Sequence, residues 1–315
     1  CKGINLLCGF KLGARWMWMQ ESRIVRGLLF ILKDIPAYAS DLHISLISET
    51  LLTVLQFCHS LNEFHDSDLK SKNQYYFNQI MSILISELTN SNRIVRNVIH
   101  SSFELLSKCH NCEVGELLSP HRDRILLPIF TKPLRALPFS LQIGYVDAVN
   151  YCLNLKPPLV TFSEELLRLL HESLALVEAD DTALVSKSGQ LKNSQNLINL
   201  RVVCIALLST AISCSEFQDP KMHQIRNHIV SAFFKSLYSK SLEIVAVART
   251  GLELVIVHQQ KLPKDLLQHG LRPVLINLAE AKRLTLSGLE GLSKVLQLLT
   301  SYFKAEIGKK LLDHV

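Results

Sequence analysis

Three consecutive residues, His121-Arg122-Asp123, have the types found at the start of the catalytic loop of protein kinases. In that loop the Asp orients the substrate hydroxyl, and an Asn five residues later binds magnesium. The corresponding position here is Pro128, and the sequence has neither a glycine-rich phosphate loop nor an Asp-Phe-Gly triplet. Pro120 directly precedes the triplet, which is typical of a helix start. We therefore interpret these residues as the charged first turn of a helix.

The sequence Cys109-His110-Asn111-Cys112 has the two-residue separation of half a structural zinc site. Structural zinc needs four ligands, which normally come from a second such pair. The nearby candidates are His121 and Cys152, and they are not paired in this way. We interpret the motif as the end of a helix that buries one thiol. A zinc enzyme built on Cys109, Cys112 and His121 is the alternative.

The remaining residues with chemical potential are isolated from one another. Gly288 and Gly291 are too close together for a dinucleotide-binding loop, and no strand pattern precedes them. His171, His258 and His269 lie singly in helical stretches, without Cys or acidic residues at catalytic spacing. The sequence therefore predicts no catalytic site, no metal site and no cofactor.

The composition indicates a helical chain without a strong charge. Hydrophobic residues make up 48% of the 315 residues, with 12 Gly and 10 Pro, which argues against both disorder and an all-β fold. The net charge is +6, and Lys and Arg form no run longer than a pair, so nucleic-acid binding is not indicated. The longest apolar run, Val202–Ile212, is shorter than the ~20 residues of a membrane span. The 8 cysteines lie mostly among apolar residues, which favours reduced thiols in the cytosol or nucleus.

Apolar residues recur at helical spacing along the chain, and no segment alternates with a sustained period of two. The chain is therefore predicted to be all-α. The inward stripes are predicted to be Val95-Ile99-Phe103-Leu106, Leu167-Leu170-Leu174-Val177, Leu197-Leu200-Cys204-Leu207-Ala211, Val245-Ala248-Leu252-Val255 and Leu289-Leu292-Leu296-Leu299-Phe303.

Turn residues predict where these helices begin and end. Capping side chains accept hydrogen bonds from free N–H groups, and proline is harmless in a first turn but ends a helix elsewhere. The predicted starts are Asn90 or Ser91, Ser119-Pro120 with the Ser119 hydroxyl as cap, Pro138, Thr161 or Ser163, and Asp219-Pro220, while Pro157-Pro158 is predicted to close a helix.

The second helices of successive pairs are predicted to start near residues 92, 138, 195, 241 and 284. Apart from one longer interval, this matches the about 40–47 residues of HEAT and armadillo repeats. We therefore predict a HEAT-type α-solenoid of stacked antiparallel helix pairs. The expected organisation is irregular helices over 1–73, helix pairs at about 74–109, 119–154, 163–214, 220–259 and 263–314, and a polar loop at about 178–196.

Two features suggest that this solenoid continues beyond the chain. A single helix pair cannot bury its own apolar face and needs neighbouring repeats. The chain begins with Cys1 rather than Met, so we expect an internal segment of a larger protein. The cluster Trp16-Met17-Trp18-Met19 is expected to pack against upstream repeats, with a partner surface as the alternative.

Three long runs resemble a known family: Glu116–Val160, Glu165–Leu184 and Lys261–His314. They resemble the helical region of TRRAP and its fungal counterpart, the pseudokinase branch of the phosphatidylinositol-3-kinase-related family. The similarity to the fungal form is greater, above all in LPFSLQIGYVDAVNYCLNLKPPL.

The resemblance implies a segment of a very large HEAT-repeat protein that is shared by the SAGA and nucleosomal histone H4 acetyltransferase complexes. The kinase-like domain of that branch is inactive and lies at the far C-terminus, so the resemblance assigns no catalytic residue here. It implies a nuclear, non-catalytic scaffold. The implied partners are transcription activators with acidic segments, other subunits of histone acetyltransferase complexes and neighbouring HEAT repeats, with no membrane and no direct nucleic-acid contact.

A second interpretation is a generic HEAT adaptor or nuclear transport receptor. The irregular repeat spacing and the lack of an Asn ladder argue against it.

A basic turn is the candidate partner surface, and we call it the basic rim. Cations beside apolar anchors suit disordered acidic segments. The competing interpretation is that these side chains pair with acidic residues of the same chain. The basic rim consists of His121, Arg122, Arg124, Lys132 and Arg135.

Overall fold

The computed structural model describes residues 67–179 and 194–258, together with a few isolated positions. Within these two ranges every regular element is an α-helix or a short 3-10 helix, and no strand occurs, which confirms the all-α prediction. The chain divides into two compact units. In the described ranges, the first unit comprises residues 67–129 and 155–159, and the second unit comprises residues 130–154, 160–179 and 194–258.

The first unit is built from α1 (Ser67–Glu87), α2 (Arg93–His110), α3 (Val114–Leu118) and all but the last residue of α4 (Arg122–Phe130). A short turn joins α1 to α2, and the two helices pack against each other. The apolar stripe predicted for α2 is buried, as is an apolar face of α1. These core residues are Ile80, Met81 and Leu84 of α1, Leu88 of the turn that follows it, and Val95, Ile99, Phe103 and Leu106 of α2.

The cap of α2 differs from the prediction. Asn92, rather than Asn90 or Ser91, is the capping residue, and its side chain accepts a hydrogen bond from the Ile94 N–H at 2.8 Å. Asn90 instead accepts a hydrogen bond from the Asn92 N–H at 2.8 Å. The prediction was wrong because two Asn side chains compete for the free N–H groups of one turn, and sequence does not rank them.

Gly115 marks a close backbone approach within the first unit. It lies in α3, which begins with a capping box formed by Glu113 and Glu116. A Cβ atom added at Gly115 would lie 2.0 Å from the Pro157 carbonyl oxygen. Because the obstructing atom belongs to the backbone, glycine is the residue that permits this contact.

The second unit is a stack of helices around α7. Its elements are α5 (Phe139–Asn154), α6 (Glu164–Glu178), α7 (Ser194–Ile212), α8 (His223–Ser236) and α9 (Leu242–His258). Helix α7 packs against the other four, and α8 also packs against α6 and α9. Helices α5, α7 and α9 are therefore successive neighbours, with α6 and α8 lying against them.

The stripes predicted for α7 and α9 are fully buried, but the stripe predicted for α6 is only partly correct. Leu170 and Leu174 are buried, whereas Leu167 and Val177 are half-buried. The core face of α6 is rotated because this helix packs against both α7 and α8, which widens the surface that it buries. Its buried residues are Leu166, Leu169, Leu170, Ser173, Leu174 and Leu176.

Several predicted helix ends are confirmed. The Pro138 carbonyl accepts hydrogen bonds from the first turn of α5. The Ser163 hydroxyl accepts from the Leu166 N–H at 3.3 Å, and Asp219 accepts from the Lys221 N–H at 2.8 Å ahead of α8. Helix α5 ends at Asn154, before the two prolines.

The cap predicted at Ser119 is wrong. Ser119 is the first residue of a 3-10 helix, Ser119–His121, and no side chain caps that helix.

The longest apolar run of the sequence, Val202–Ile212, forms the second half of α7, and the whole helix is longer than this run. Its 18-residue stretch Gln195–Ile212 is long and apolar enough to cross a membrane by length and composition alone. More than half of that stretch is buried inside the protein, since α7 packs against four other helices. Its apolar composition is therefore that of a core helix.

Several predicted features lie outside the described residues. They are the irregular helices before residue 67, the Trp16–Met19 cluster, residues 180–193 of the polar loop, and most of the helix pair at about 263–314, including Gly288 and Gly291. Leu289 is one of the few described residues of that pair, and its predicted inward position is wrong because it is 43% exposed.

Candidate partner-binding surface

The 3-10 helix Ser119–His121 and α4 position the first three residues of the basic rim. His121 ends the 3-10 helix and is half-buried, while Arg122 and Arg124 lie exposed in the first turn of α4. The helix buries its opposite face, which consists of Ile125, Leu126 and Ile129.

Arg122 is largely committed to contacts within the first unit. Its Nε donates a hydrogen bond to the Leu159 carbonyl at 2.9 Å, and its Nη1 lies 3.7 Å from a carboxylate oxygen of Asp123. The Asp123 side chain is 79% exposed, so this carboxylate faces solvent and does not line a cleft. The kinase-like triplet is therefore the charged start of a helix, as predicted.

A neutral hydroxyl orients the side chain of Arg124 and does not neutralise its positive charge. Its Nη2 donates a hydrogen bond to the Ser82 hydroxyl of α1 at 2.8 Å. In the part of the chain that the structure describes, no ion pair involves Arg124. A neutral acceptor fixes the direction of the guanidinium and leaves its charge available to a partner.

A short connector between α4 and α5 carries the other two residues of the basic rim. Lys132 and Arg135 are exposed, and Leu134 between them is 2% exposed. Helix α6 holds the connector at its start and at its middle, within the second unit. Arg168 Nη2 donates to the Phe130 carbonyl at 2.8 Å, and Glu172 Oε2 accepts from the Leu134 N–H at 2.6 Å.

Within the described ranges, the side chains of Lys132 and Arg135 form no hydrogen bond or ion pair, so the two charges of the connector are unpaired there.

The five predicted residues of the basic rim are divided between the two units. His121, Arg122 and Arg124 belong to the first unit, and Lys132 and Arg135 belong to the second.

The Cys109–Cys112 motif lies at the end of α2. Asn111 adopts a left-handed conformation with φ 49°, and its N–H donates to the Lys108 carbonyl. Cys112 is half-buried, and burial with the nearby Glu116 and Glu113 raises the pKa of its thiol. Among the described residues, no group of three or more His, Cys, Asp or Glu side chains is placed to hold a metal ion.

Comparison with known proteins identifies the family. The sequence model of the Tra1 HEAT repeat ring region matches residues 1–315. This chain belongs to the Tra1 ring family.

Relatives of this chain include proteins of fungi and animals. It is 42% identical over 306 residues to the SAGA complex/NuA4 acetyltransferase complex subunit Tra1 of Schizosaccharomyces pombe, which covers 95% of the chain. It is 38% identical over 298 residues to the corresponding subunit of Saccharomyces cerevisiae. It is 24% identical over 312 residues to the human transformation/transcription domain-associated protein. The segment spans 8% of the length of each of these relatives.

One class of contact in this chain was not predicted from sequence. Arginine side chains donate hydrogen bonds to backbone carbonyls at turns and helix ends, as Arg96 does to Asn90 and Ser91 at 2.7 and 3.0 Å. A guanidinium has five N–H donors and suits carbonyls that a helix end leaves unpaired. The arginines that make such contacts include Arg96, Arg122, Arg168, Arg201 and Arg226.

An exposed apolar residue beside the basic rim was also missed. Leu127 of α4 is 65% exposed, and Pro128 next to it is exposed as well. The helical period provides the signal that could have identified it, since Leu127 and Pro128 follow Arg124 by three and four residues. The chain thus presents a cation and apolar side chains on one face of α4.

Proposed function

We propose that this chain is a non-catalytic scaffold segment of a nuclear transcription coactivator that belongs to histone acetyltransferase complexes. The observation that carries the proposal is the family match over the whole chain, with fungal relatives whose names include both SAGA and NuA4. The proposed repeat organisation is the one predicted from sequence. Stacked helix pairs offer long surfaces for many weak contacts, which suits a scaffold.

Within this role, the basic rim is proposed to dock acidic segments of transcription activators. Support comes from the exposed Arg124, Lys132 and Arg135, which have no ion-pair partner among the described residues. Arg122 contributes less, because its guanidinium already binds the Leu159 carbonyl. Mutual attraction between a cationic rim and an acidic segment accelerates association and weakens with salt.

Affinity purification of the full-length protein tests the scaffold role. The tagged protein is isolated from nuclear extract, and its partners are identified by mass spectrometry against an untagged control. We expect acetyltransferase-complex subunits to be recovered. Recovery of transport receptors or their cargo in place of those subunits would instead support the second interpretation of the sequence.

Charge reversal in the full-length protein tests the basic rim. Arg124→Glu together with Arg135→Glu should weaken binding of an acidic activator peptide about tenfold at low salt, since each reversal replaces an attraction by a repulsion. Arg93→Glu with Lys240→Glu is the matched control, because both positions are exposed, one in each unit, and outside the rim. Equal binding by the rim variant and the control variant would refute the docking role.

A further inference from the structure

The exposed face of α4 combines a fixed cation with an apolar side chain one helical turn away. Arg124 is held by the Ser82 hydroxyl at 2.8 Å, and Leu127 is 65% exposed three residues later. Residues at this spacing have Cβ atoms about 5–6 Å apart on a helix surface. Pro128 continues the apolar surface. The two components thus lie close enough to contact adjacent turns of one partner segment.

The charge around Leu127 determines which kind of partner segment can bind this face of α4. Within the first unit, the basic groups nearest to Leu127 in sequence are His121, Arg122 and Arg124, and the single acid among them, Asp123, lies 3.7 Å from Arg122. Arg124 therefore keeps a net positive field beside the apolar side chain. A segment that carries carboxylates alone would leave Leu127 in water, and a neutral apolar segment would leave Arg124 unmatched.

We propose that Leu127 is the apolar anchor of a docking site on α4 for acidic segments that carry a bulky apolar residue, with Arg124 as the adjacent cation and Ser82 as its positioning residue. This inference rests on the proposed function. It adds a specificity rule, because acidity alone does not suffice for tight binding and the partner must supply an apolar side chain about one helical turn from a carboxylate.

The test uses the purified full-length protein and two synthetic peptides. One peptide carries acidic residues with Leu or Phe once per helical turn, and the other has Ser in place of each Leu or Phe. Both peptides carry a benzophenone group, so the contacted residues are identified by photo-cross-linking and mass spectrometry. This local readout separates α4 from every other surface of a large protein.

The variants are chosen as a matched pair. Leu127→Ser removes the proposed anchor, and Leu242→Ser removes a leucine of the second unit that is 62% exposed, close to the 65% exposure of Leu127. Both side chains lie mainly in solvent, so folding is expected to be preserved. Amide hydrogen exchange of α4 and α9 checks this directly.

In the wild-type protein we expect cross-links from the apolar peptide to residues 122–131. Leu127→Ser should lower their yield about tenfold, since burial of most of a leucine side chain stabilises binding by an amount of that order. Leu242→Ser should match the wild type. The Ser-containing peptide should cross-link weakly, and Leu127→Ser should leave its yield unchanged.

Two results would overturn the inference, and only the second would also refute the docking role of the basic rim. Cross-links to α4 that persist at wild-type yield in Leu127→Ser would refute the anchor and leave the docking role of the basic rim intact. Absence of cross-links to both α4 and the α4–α5 connector in the wild-type protein would refute the anchor and the docking role together.

Discussion

Gly115 shows how one absent side chain determines the packing of the first unit. Its backbone approaches Pro157 so closely that an added Cβ would lie 2.0 Å from a carbonyl oxygen. Gly251 of α9 is comparable, but an added Cβ there would meet side-chain atoms, at 2.5 Å from the Ser209 hydroxyl and 2.8 Å from the Phe233 ring. Side chains can move by changing rotamer, whereas a backbone carbonyl moves only with its chain.

We predict that Gly115→Ala destabilises its surroundings by about 2 kcal/mol, and that Gly251→Ala costs less. Overpacking outweighs the gain of up to about 1 kcal/mol in helix propensity that alanine brings. Amide hydrogen exchange in the full-length protein should show about thirtyfold faster exchange in α3 for Gly115→Ala. Equal effects of the two substitutions would show that backbone and side-chain obstacles are equivalent here.

Residues whose role depends on sequence neighbours were predictable. The helix starts at Thr161 or Ser163 and at Asp219-Pro220 were predicted because a cap acts two or three residues along the chain, although the other two predicted caps were wrong. The contact of Gly115 with Pro157 and that of Glu172 with Leu134 were not predicted. Each joins residues about forty positions apart, and such pairing depends on the tertiary arrangement.

At the scale of elements, Arg96 links α1 to α2. Its side chain is 2% exposed, and its guanidinium donates to the Asn90 and Ser91 carbonyls at 2.7 and 3.0 Å. These carbonyls belong to the turn between the helices, where intrahelical donors are missing. The arginine therefore stabilises the α1–α2 turn from the helix that follows it.

We predict that Arg96→Met lowers the free energy of opening at this turn by about 2 kcal/mol, because two backbone carbonyls of the turn lose their charged donor. Arg96→Lys should have an intermediate effect, since an ammonium group does not reproduce the planar fork of a guanidinium. Hydrogen exchange of residues 88–96 measures both. Exchange as slow in Arg96→Met as in the wild type would mean that the turn is stable without these bonds.

Helix type and apolar periodicity explain which elements were predicted well. The stripes of α7 and α9 were correct because these helices are apolar around much of their circumference and pack against several neighbours, so a stripe chosen from sequence is buried. The stripe of α6 was rotated because α6 packs against two helices, and sequence periodicity gives only the average direction of burial.

At the scale of the second unit, two buried thiols make the stability of the core depend on pH. Cys152 of α5 and Cys204 of α7 are both fully buried, and burial raises the pKa of each from 9.0 to about 12. In the folded protein these groups stay protonated at alkaline pH. In the unfolded chain they release their protons above the ordinary value, so their contribution to stability is present below pH 9.0 and is lost as pH rises towards about 12.

We predict that the native protein resists alkylation at Cys152 and Cys204 at neutral pH, and that the second unit opens more readily between pH 9 and about 12. Iodoacetamide labelling with mass spectrometry measures the first effect, and hydrogen exchange across that pH range measures the second. The double variant Cys152→Ala, Cys204→Ala should lose stability more slowly with rising pH. Rapid labelling of both thiols at neutral pH would contradict the buried core.

The connector between α4 and α5 has a consequence for the entropy of partner binding. Arg168 and Glu172 hold it at Phe130 and Leu134, so its backbone is ordered before any partner arrives. A free loop would lose about 1–2 kcal/mol of conformational entropy per residue on being fixed. Here that loss has already occurred during folding, and only the side chains of Lys132 and Arg135 remain to be immobilised, at about 0.5–1.5 kcal/mol each. A disordered partner loses conformational entropy of its own when it binds, and the ordered connector adds little to that loss.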